Sequence, residues 1–191
     1  QLCTGPGQCT SCFPGHVINP DNGECHFREP EVEAIIQWQG TSDLDTHVFI
    51  PVVYEELAWY NRGNLFGPPY AYLWNDYWGS ADGTANLETS SAYLDYEGTY
   101  LWAYYCWACT WDTVTPVDTD VTIKMHGAVD QVVTLAPGAP PTKWWVVAEV
   151  NSVTEQVTVI NTFTNDINPF LPAGGASVSN VQSTQGVKSR R

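Results

Sequence analysis

The residues from Trp38 to Pro51 read WQGTSDLDTHVFIP, a polar corner between two apolar runs. Before the corner, every second residue is apolar: Val32, Ala34, Ile36 and Trp38. After it, one face carries Leu44, Thr46, Val48 and Ile50, and the other carries Asp45, His47 and Phe49. A period of two is typical of β-strands, and Asp side chains hold turns by accepting hydrogen bonds from backbone N–H groups. The stretch therefore predicts two β-strands joined by a turn that carboxylates hold.

The rest of the chain repeats this pattern of short alternating segments between turn residues. It contains 9 Trp, 10 Tyr and 6 Phe, and aromatic residues favour strands together with Val and Thr. The pattern predicts strands near residues 32–39, 45–51, 53–60, 70–74, 85–89, 99–107, 118–125, 130–135, 143–150 and 156–163. Such spacing, without a helical period, predicts an all-β fold: a two-sheet antiparallel sandwich of the jelly-roll or Ig-like type.

Composition divides the chain into three parts. Residues 1–30 are expected to form a small disulfide-rich N-terminal cap, residues 31–163 the β-sandwich, and residues 164–191 an extended C-terminal tail. The cap holds four of the 6 cysteines, namely Cys3, Cys9, Cys12 and Cys25. Because the cap is too small to fold on apolar burial, two disulfides are expected there, with three alternative pairings. Cysteine usage of this kind indicates an oxidising compartment.

The corner resembles that of the YfaP-like (DUF2135-type) extracellular β-sandwich domains, in which a Trp-containing strand precedes Asp-Leu-Asp-x-His and a Pro follows. The matching positions here are Trp38, Asp43, Leu44, Asp45, His47 and Pro51. The segment Glu97-Gly98-Thr99-Tyr100 is similar to the family's Gly-x-Tyr entry to a long aromatic strand, but the usual Gly-Pro-Glu element is absent as such. The resemblance, which covers roughly residues 35–163, implies a secreted or surface sandwich with no established catalytic role. The cap resembles one unit of the small cysteine-rich repeats of extracellular proteins.

The charge balance limits the partners. Seven basic and 21 acidic residues give a net charge of −14, which repels nucleic acid and anionic membrane surfaces. No segment approaches the roughly 20 apolar residues that span a bilayer, so we expect no membrane insertion. A chain that begins at Gln1 is expected to be a mature secreted product from which a leader has been removed.

Asp43 and Asp45 are candidates for holding the turn or, alternatively, for binding Ca²⁺, a hard cation that takes six or more oxygen ligands. Further ligands could come from Asp76, Asp82 or Asp95. No contiguous calcium-loop spacing is present, so the turn-holding role is favoured. The sequence therefore predicts no cofactor, with calcium as the alternative.

Cys106 and Cys109 are separated by two residues at the end of an aromatic segment. This spacing also occurs in redox motifs and in halves of zinc sites. A redox motif needs a helix N-terminus, however, and a zinc site needs two further ligands, for which His47 and His126 are the candidates in the sandwich. A local disulfide is the favoured interpretation.

The chain has more large aromatic side chains than the core between the two sheets can bury. The strand near 99–107 carries large side chains on both faces, so a loop such as 61–84, a sugar or another subunit is expected to cover the second face. The candidate interface or sugar-stacking rings are Trp74, Tyr77, Trp78, Trp102, Trp107 and Trp111.

Catalysis is not expected, because no nucleophile or metalloprotease motif occurs and Glu55 and Glu56 point to opposite faces of a strand. Candidate positions for O-linked sugars are Pro137, Pro140, Pro141 and Thr142. The expected function is a structural subunit of a secreted extracellular fibre or surface assembly made of copies of this chain, with cap and tail contacting neighbouring copies. The alternative is a carbohydrate- or calcium-binding adhesion module.

Overall fold

A computed structural model describes residues 2–3, 9–12, 16–19, 21–52, 56–115 and 118–171. Within these residues the chain forms the following strands: β1 (Leu2–Cys3), β2 (Cys9–Ser11), β3 (His16–Ile18), β4 (Cys25–Phe27), β5 (Val32–Trp38), β6 (Leu44–Phe49), β7 (Glu56–Leu57), β8 (Gly63–Asn64), β9 (Ala71–Leu73), β10 (Asn86–Ala92), β11 (Thr99–Cys106), β12 (Asp120–Met125), β13 (Ala128–Thr134), β14 (Trp144–Asn151) and β15 (Gln156–Thr164). Single 3-10 turns occur at Trp111–Thr113 and Asn168–Phe170. None of the helical segments described is long and apolar enough to cross a membrane.

Two antiparallel sheets pack face to face, which confirms the predicted all-β sandwich. One sheet has the strand order β13-β12-β5-β10-β9-β8, and the other has the order β15-β14-β11-β6-β7. Strand pairs β1–β2 and β3–β4 form two small separate sheets in the cap. The predicted strands lie within a few residues of the observed ones except near 53–60, where β7 spans only two described residues and residues 53–55 lie outside the described part.

The opening corner carries the chain from one sheet to the other. β5 lies in the six-stranded sheet, with Val32, Ala34, Ile36 and Trp38 buried and the residues between them partly exposed, as the alternation predicts. β6 lies in the five-stranded sheet and is buried along its whole length. The Trp38 indole donates to the Ser42 carbonyl at 2.8 Å, and Trp107 N–H donates to the Asp43 carbonyl at 2.9 Å. Two hydrogen bonds, one from an indole and one between backbone groups, thus fix the corner.

The core between the sheets is rich in indole rings, and three of these buried indoles donate their N–H to a polar acceptor. Trp102 Nε1 donates to Ser90 Oγ at 3.0 Å, Trp145 Nε1 to Asn161 Oδ1 at 2.8 Å, and Trp111 Nε1 to the Lys143 carbonyl at 3.1 Å. Burying an unpaired N–H costs free energy, so these bonds permit large rings in the interior. Trp111 also packs edge-on against Trp145, with ring centroids 5.2 Å apart.

The outer face of the five-stranded sheet is covered by the chain itself. A second apolar cluster there contains Phe49, Leu101, Ala103, Trp144, Val146 and Ile167, with Tyr105, Ile160, Phe170 and Leu171 packed against it. The residues after β15 therefore lie over β11 and β14. Ile167, Phe170 and Leu171 thus cover part of the second face of β11, for which a 61–84 loop, a sugar or another subunit was expected.

The predicted boundary between sandwich and tail at residue 163 is too early. β15 continues to Thr164, and Ile167 is only 3% exposed. A Ser/Gly/Asn/Pro composition after 163 indicated a tail, whereas three apolar side chains in that segment suffice to anchor it. The remaining tail, residues 172–191, lies outside the described residues.

Replacing Ile167 tests this cover. We expect Ile167→Ala to lower the free energy of unfolding by about 2–4 kcal/mol, because it opens a cavity over the second cluster. Val153→Ala, at a position 65% exposed, should stay within about 0.5 kcal/mol of the parent. Urea denaturation measures both, and an Ile167→Ala protein as stable as the control would contradict the packing described.

Candidate metal centre

Glu88 is a carboxyl group buried between the two sheets. It lies on β10 at an inward-facing position, and its side chain is 0% exposed. Glu88 Oε2 accepts hydrogen bonds from Thr46 N at 2.9 Å and from Thr46 Oγ1 at 2.7 Å, both on the facing sheet. Glu88 Oε1 accepts from Tyr77 N at 3.0 Å. One side chain therefore joins β10, β6 and the loop that follows β9.

Two further carboxylates converge on Glu88. Asp45, Asp76 and Glu88 each place one oxygen so that all three lie within 4.8 Å of one another. Two oxygens that bind the same Ca²⁺ at 2.3–2.6 Å are at most about 5 Å apart, so this spacing fits a shared cation. Asp45 and Glu88 are buried, whereas Asp76 is partly exposed. The cluster thus reaches solvent on the Asp76 side.

Burial dominates the electrostatics of the cluster. It raises the pKa of Glu88 to about 8, the charge of Asp45 adds to the rise, and the hydrogen bonds from Thr46 and Tyr77 oppose it. A buried carboxyl beside other carboxylates takes up a proton unless a cation compensates its charge. An all-oxygen, all-carboxylate donor set suits hard cations such as Ca²⁺ and Mg²⁺.

A buried tyrosine hydroxyl lies near the same carboxyl. Tyr104 is 0% exposed and pairs with Thr46 across β11 and β6. Among the described residues its hydroxyl has no hydrogen-bond partner, although such groups are normally paired when buried. Burial raises the pKa of Tyr104 above its usual value, and the charge of Glu88 raises it further. A cation with its coordination shell, bound near Glu88, would offer a partner to this hydroxyl.

A second polar chain borders the cluster on the outer face of β6. His47 Nδ1 lies 2.5 Å from Glu56 Oε1, and the Tyr60 hydroxyl donates to Glu56 Oε2 at 2.7 Å. Burial alone would raise the pKa of Glu56, but the attraction of His47 and the hydrogen bonds from His47 and Tyr60 outweigh it, so the pKa is lowered. Burial raises the pKa of Tyr60, and the charges of Glu56 and Asp45 add to that rise. Tyr60 therefore connects this chain electrostatically to Asp45.

The sequence-predicted aspartates separate in the structure. Asp45 lies inside β6, one residue after the strand begins. Asp43 is in the corner but outside the cluster. Asp82 accepts from Thr84 N and Oγ1 in an exposed turn, and Asp95 forms an ion pair with Arg28 at 2.8 Å. Of the expected partners of Asp45, the structure brings only Asp76 to it.

Glu88 was missed by the sequence analysis. Its neighbours on the same face of β10, Asn86 and Ser90, are also polar, so the strand shows no apolar alternation that marks which face is buried. The polar face itself was the available signal. Three polar residues in alternate positions of a strand predict either a solvent face or a buried polar site, and local sequence does not distinguish the two.

The predicted aromatic set divides into buried and exposed members. Trp102 and Trp111 are 0% exposed, which contradicts their predicted role at an interface or under a sugar. Trp107 is half-buried against Tyr105. Trp74, Tyr77 and Trp78 are exposed. Trp74 lies on the outer face of the six-stranded sheet, where its indole donates to Ser91 Oγ at 2.8 Å.

The cysteines form disulfides as expected. Cys12 pairs with Cys25, with Cα atoms 5.6 Å apart, and Cys106 pairs with Cys109, with Cα atoms 5.2 Å apart. Cys9 is disulfide-bonded as well. The backbone of Cys3 lies opposite Cys9 in the β1–β2 register, and the structure does not describe the Cys3 side chain. Lys143 Nζ donates to the carbonyls of Cys106, Trp107 and Cys109 and so closes the Cys106–Cys109 loop.

The proline-rich loop does not expose the hydroxyl of its threonine to solvent. Pro137, Pro140 and Pro141 are exposed. The Thr142 hydroxyl is buried, which contradicts its prediction as a site for an O-linked sugar because a glycosyl donor cannot reach it. Thr142 instead has a backbone role, since its carbonyl accepts from Trp111 N at 3.1 Å.

Comparison with known proteins supports the fold alone. No family model matches the chain, and no curated protein matches it. A similar solved structure is the crystal structure of SAV2460, a protein of unknown function. It has 11% sequence identity and a TM-score of 0.54, and the match covers 78% of this chain and 100% of that one. The class of protein defined here is an antiparallel β-sandwich with a buried carboxylate cluster.

Glu88 should make the metal-free protein less stable as the pH rises. Its pKa in the folded protein lies above 4.5, the ordinary value for a glutamate, so its contribution to stability is complete below about pH 4.5 and is lost as the pH rises through about 8. In EDTA we expect the free energy of unfolding of the parent to fall relative to that of Glu88→Gln over this range, by on the order of a few kcal/mol.

Urea denaturation at several pH values measures this difference. The matched control is Asp82→Asn, because Asp82 has a lowered pKa and is already ionised in both states across this range. A parent and a Glu88→Gln protein with parallel pH profiles would show that Glu88 is not a buried proton-binding carboxyl.

Proposed function

We propose that this protein is a non-catalytic extracellular β-sandwich module that binds a divalent cation through Asp45, Asp76 and Glu88. The preferred cation is Ca²⁺. The observation that supports the proposal is the convergence of three carboxylates from three separate segments within 4.8 Å. Asp45 and Glu88 are buried, and two carboxylates this close repel each other when both are ionised. A bound cation offsets that repulsion.

Calcium fits the cluster better than magnesium. Mg²⁺ requires near-ideal octahedral geometry and keeps several waters, whereas Ca²⁺ accepts six to eight oxygens in irregular arrangements. Each of these carboxylates comes from a different structural context: β6, the loop after β9, and β10. Irregular donor sets of this kind are typical of calcium sites in which carboxylates, carbonyls and waters share the coordination.

The disulfides support an extracellular setting. Cys12–Cys25 and Cys106–Cys109 are formed, and disulfides persist in oxidising compartments. Calcium sites of extracellular modules have dissociation constants of about 10⁻⁴–10⁻³ M, which suits a small site of three carboxylates. The excess of 21 acidic over 7 basic residues also favours cations as partners.

Cation binding is tested with Ca²⁺ and with luminescent Tb³⁺, which Trp side chains near a site sensitise. We expect Ca²⁺ at a hundred times its dissociation constant to stabilise the parent by about 2.7 kcal/mol. Asp45→Asn and Glu88→Gln should each weaken Tb³⁺ binding by more than about tenfold, because the cation loses a charged ligand.

The matched control for these variants is Asp82→Asn, which removes an exposed carboxylate outside the cluster. It should bind Tb³⁺ as the parent does. If all three variants bind Tb³⁺ equally, or if Ca²⁺ does not raise the parent's stability, the cluster is not a cation site.

A second candidate function is that of a structural subunit, and the edge strand β15 favours it. β15 has nine residues without any charged side chain, and in the described part of the chain it pairs only with β14. Natural edge strands usually avoid such exposure through charge, Pro or short length. We therefore infer that β15 pairs with a second copy of this chain in a secreted assembly.

A lysine on this edge tests the assembly. We expect Val159→Lys, at a position 41% exposed on β15, to convert any oligomer of the parent into a monomer, because a charge on an edge disfavours strand pairing. Val153→Lys, in the exposed turn between β14 and β15, is the control and should leave the oligomer unchanged. Light scattering after size exclusion gives the masses, and a parent that is monomeric at all concentrations would rule out this role.

A further inference from the structure

Three exposed aromatic side chains belong to residues that neighbour the carboxylate cluster, and we call Tyr60, Tyr77 and Trp78 the aromatic rim. Tyr77 and Trp78 follow Asp76 directly, and the Tyr77 N–H donates to Glu88. Tyr60 interacts electrostatically with Asp45. The three are 42%, 46% and 40% exposed, respectively. Large rings therefore face solvent beside the same group of carboxylates.

The loop that carries two members of the rim, Tyr77 and Trp78, is fixed at both ends. At its start, Asn75 Oδ1 accepts from Thr89 N at 2.7 Å, and Asn75 Nδ2 donates to the Leu87 carbonyl. At its end, Ser80 N donates to the Gly40 carbonyl at 3.0 Å. Gly79 has φ +78°, and a Cβ there would lie 2.6 Å from the Ser42 carbonyl oxygen, so the loop lies against the corner.

Because the loop is fixed, its exposed rings are suited to binding a ligand. Rings that are held in place lose little conformational entropy when they bind a ligand, so their contact area contributes efficiently to affinity. The rim is therefore suited to a ligand with apolar faces, and the cluster beside it to a ligand with oxygen donors. Asp76, the partly exposed member of the cluster, lies next to both kinds of surface.

We propose that the rim and the cation together bind a neutral sugar. Sugar hydroxyls on adjacent carbons can complete the coordination of a hard cation, while the C–H faces of the ring stack on aromatic side chains. The net charge of −14 and the carboxylates of the cluster disfavour acidic sugars. This inference rests on the proposed cation site and adds the ligand class that the site recognises.

The test uses the full chain on agarose columns that bear mannose, galactose or glucose, in calcium and then in EDTA. We expect retention on at least one of these sugars in calcium and release in EDTA. Tyr77→Ala and Trp78→Ala should each weaken retention by about tenfold, equivalent to about 1.4 kcal/mol. Both variants should bind Tb³⁺ as the parent does, because neither removes a carboxylate or the Tyr77 N–H.

The matched control is Phe66→Ala, which removes a ring that is 44% exposed but contacts Phe27 of the cap. It should be retained as the parent is. A parent that binds Tb³⁺ but is retained by none of the sugars would overturn the sugar proposal and leave the cation site standing. Retention that survives EDTA or the rim substitutions would also overturn it. A parent that does not bind Tb³⁺ would remove the cation site and this inference together.

Discussion

The hydrogen bonds from Thr46 to Glu88 are the interaction on which the site depends. They join a strand of one sheet to a strand of the other through a carboxyl group buried between them. A buried carboxyl destabilises the fold unless it is hydrogen-bonded, protonated or paired with a cation. The same carboxyl fixes the loop after β9 through Tyr77 N, and that loop carries Asp76 and two rings of the rim. In the proposed site, cation binding and loop position would therefore be coupled through Glu88.

Most of the fold follows from local patterns. The alternation before the corner identifies the buried face of β5, and regular turn residues separate strands close to their observed bounds. The cover of β11 could not be predicted in this way. Both faces of that strand are apolar, and local sequence does not identify the segment that covers the second one. Ile167, Phe170 and Leu171 do so although they lie at the start of a segment with the composition of a tail. Because the chain covers its own rings there, those rings give no support to a subunit interface.

The carboxylate cluster was only partly predictable, because its three residues are distant in sequence. Asp45 and Asp76 were both candidates, but no contiguous spacing connects them. Glu88 was hidden in a strand with polar residues on both faces, and its burial depends on which sheet packs against it. Trp102 and Trp111 show the opposite error, since an aromatic residue has the same sequence signature in a core and on a binding surface. Only the packing of the two sheets separates these cases.

We propose that Asp45, Asp76 and Glu88 bind one cation, and a crystal structure of the protein grown with Tb³⁺, with anomalous data collected, decides whether they do. A shared site gives a strong anomalous peak with an oxygen of each of the three side chains at a coordination distance of about 2.3–2.6 Å. A map with no peak at the cluster, or a cation bound elsewhere while Glu88 keeps its hydrogen bonds to Thr46 alone, would contradict it.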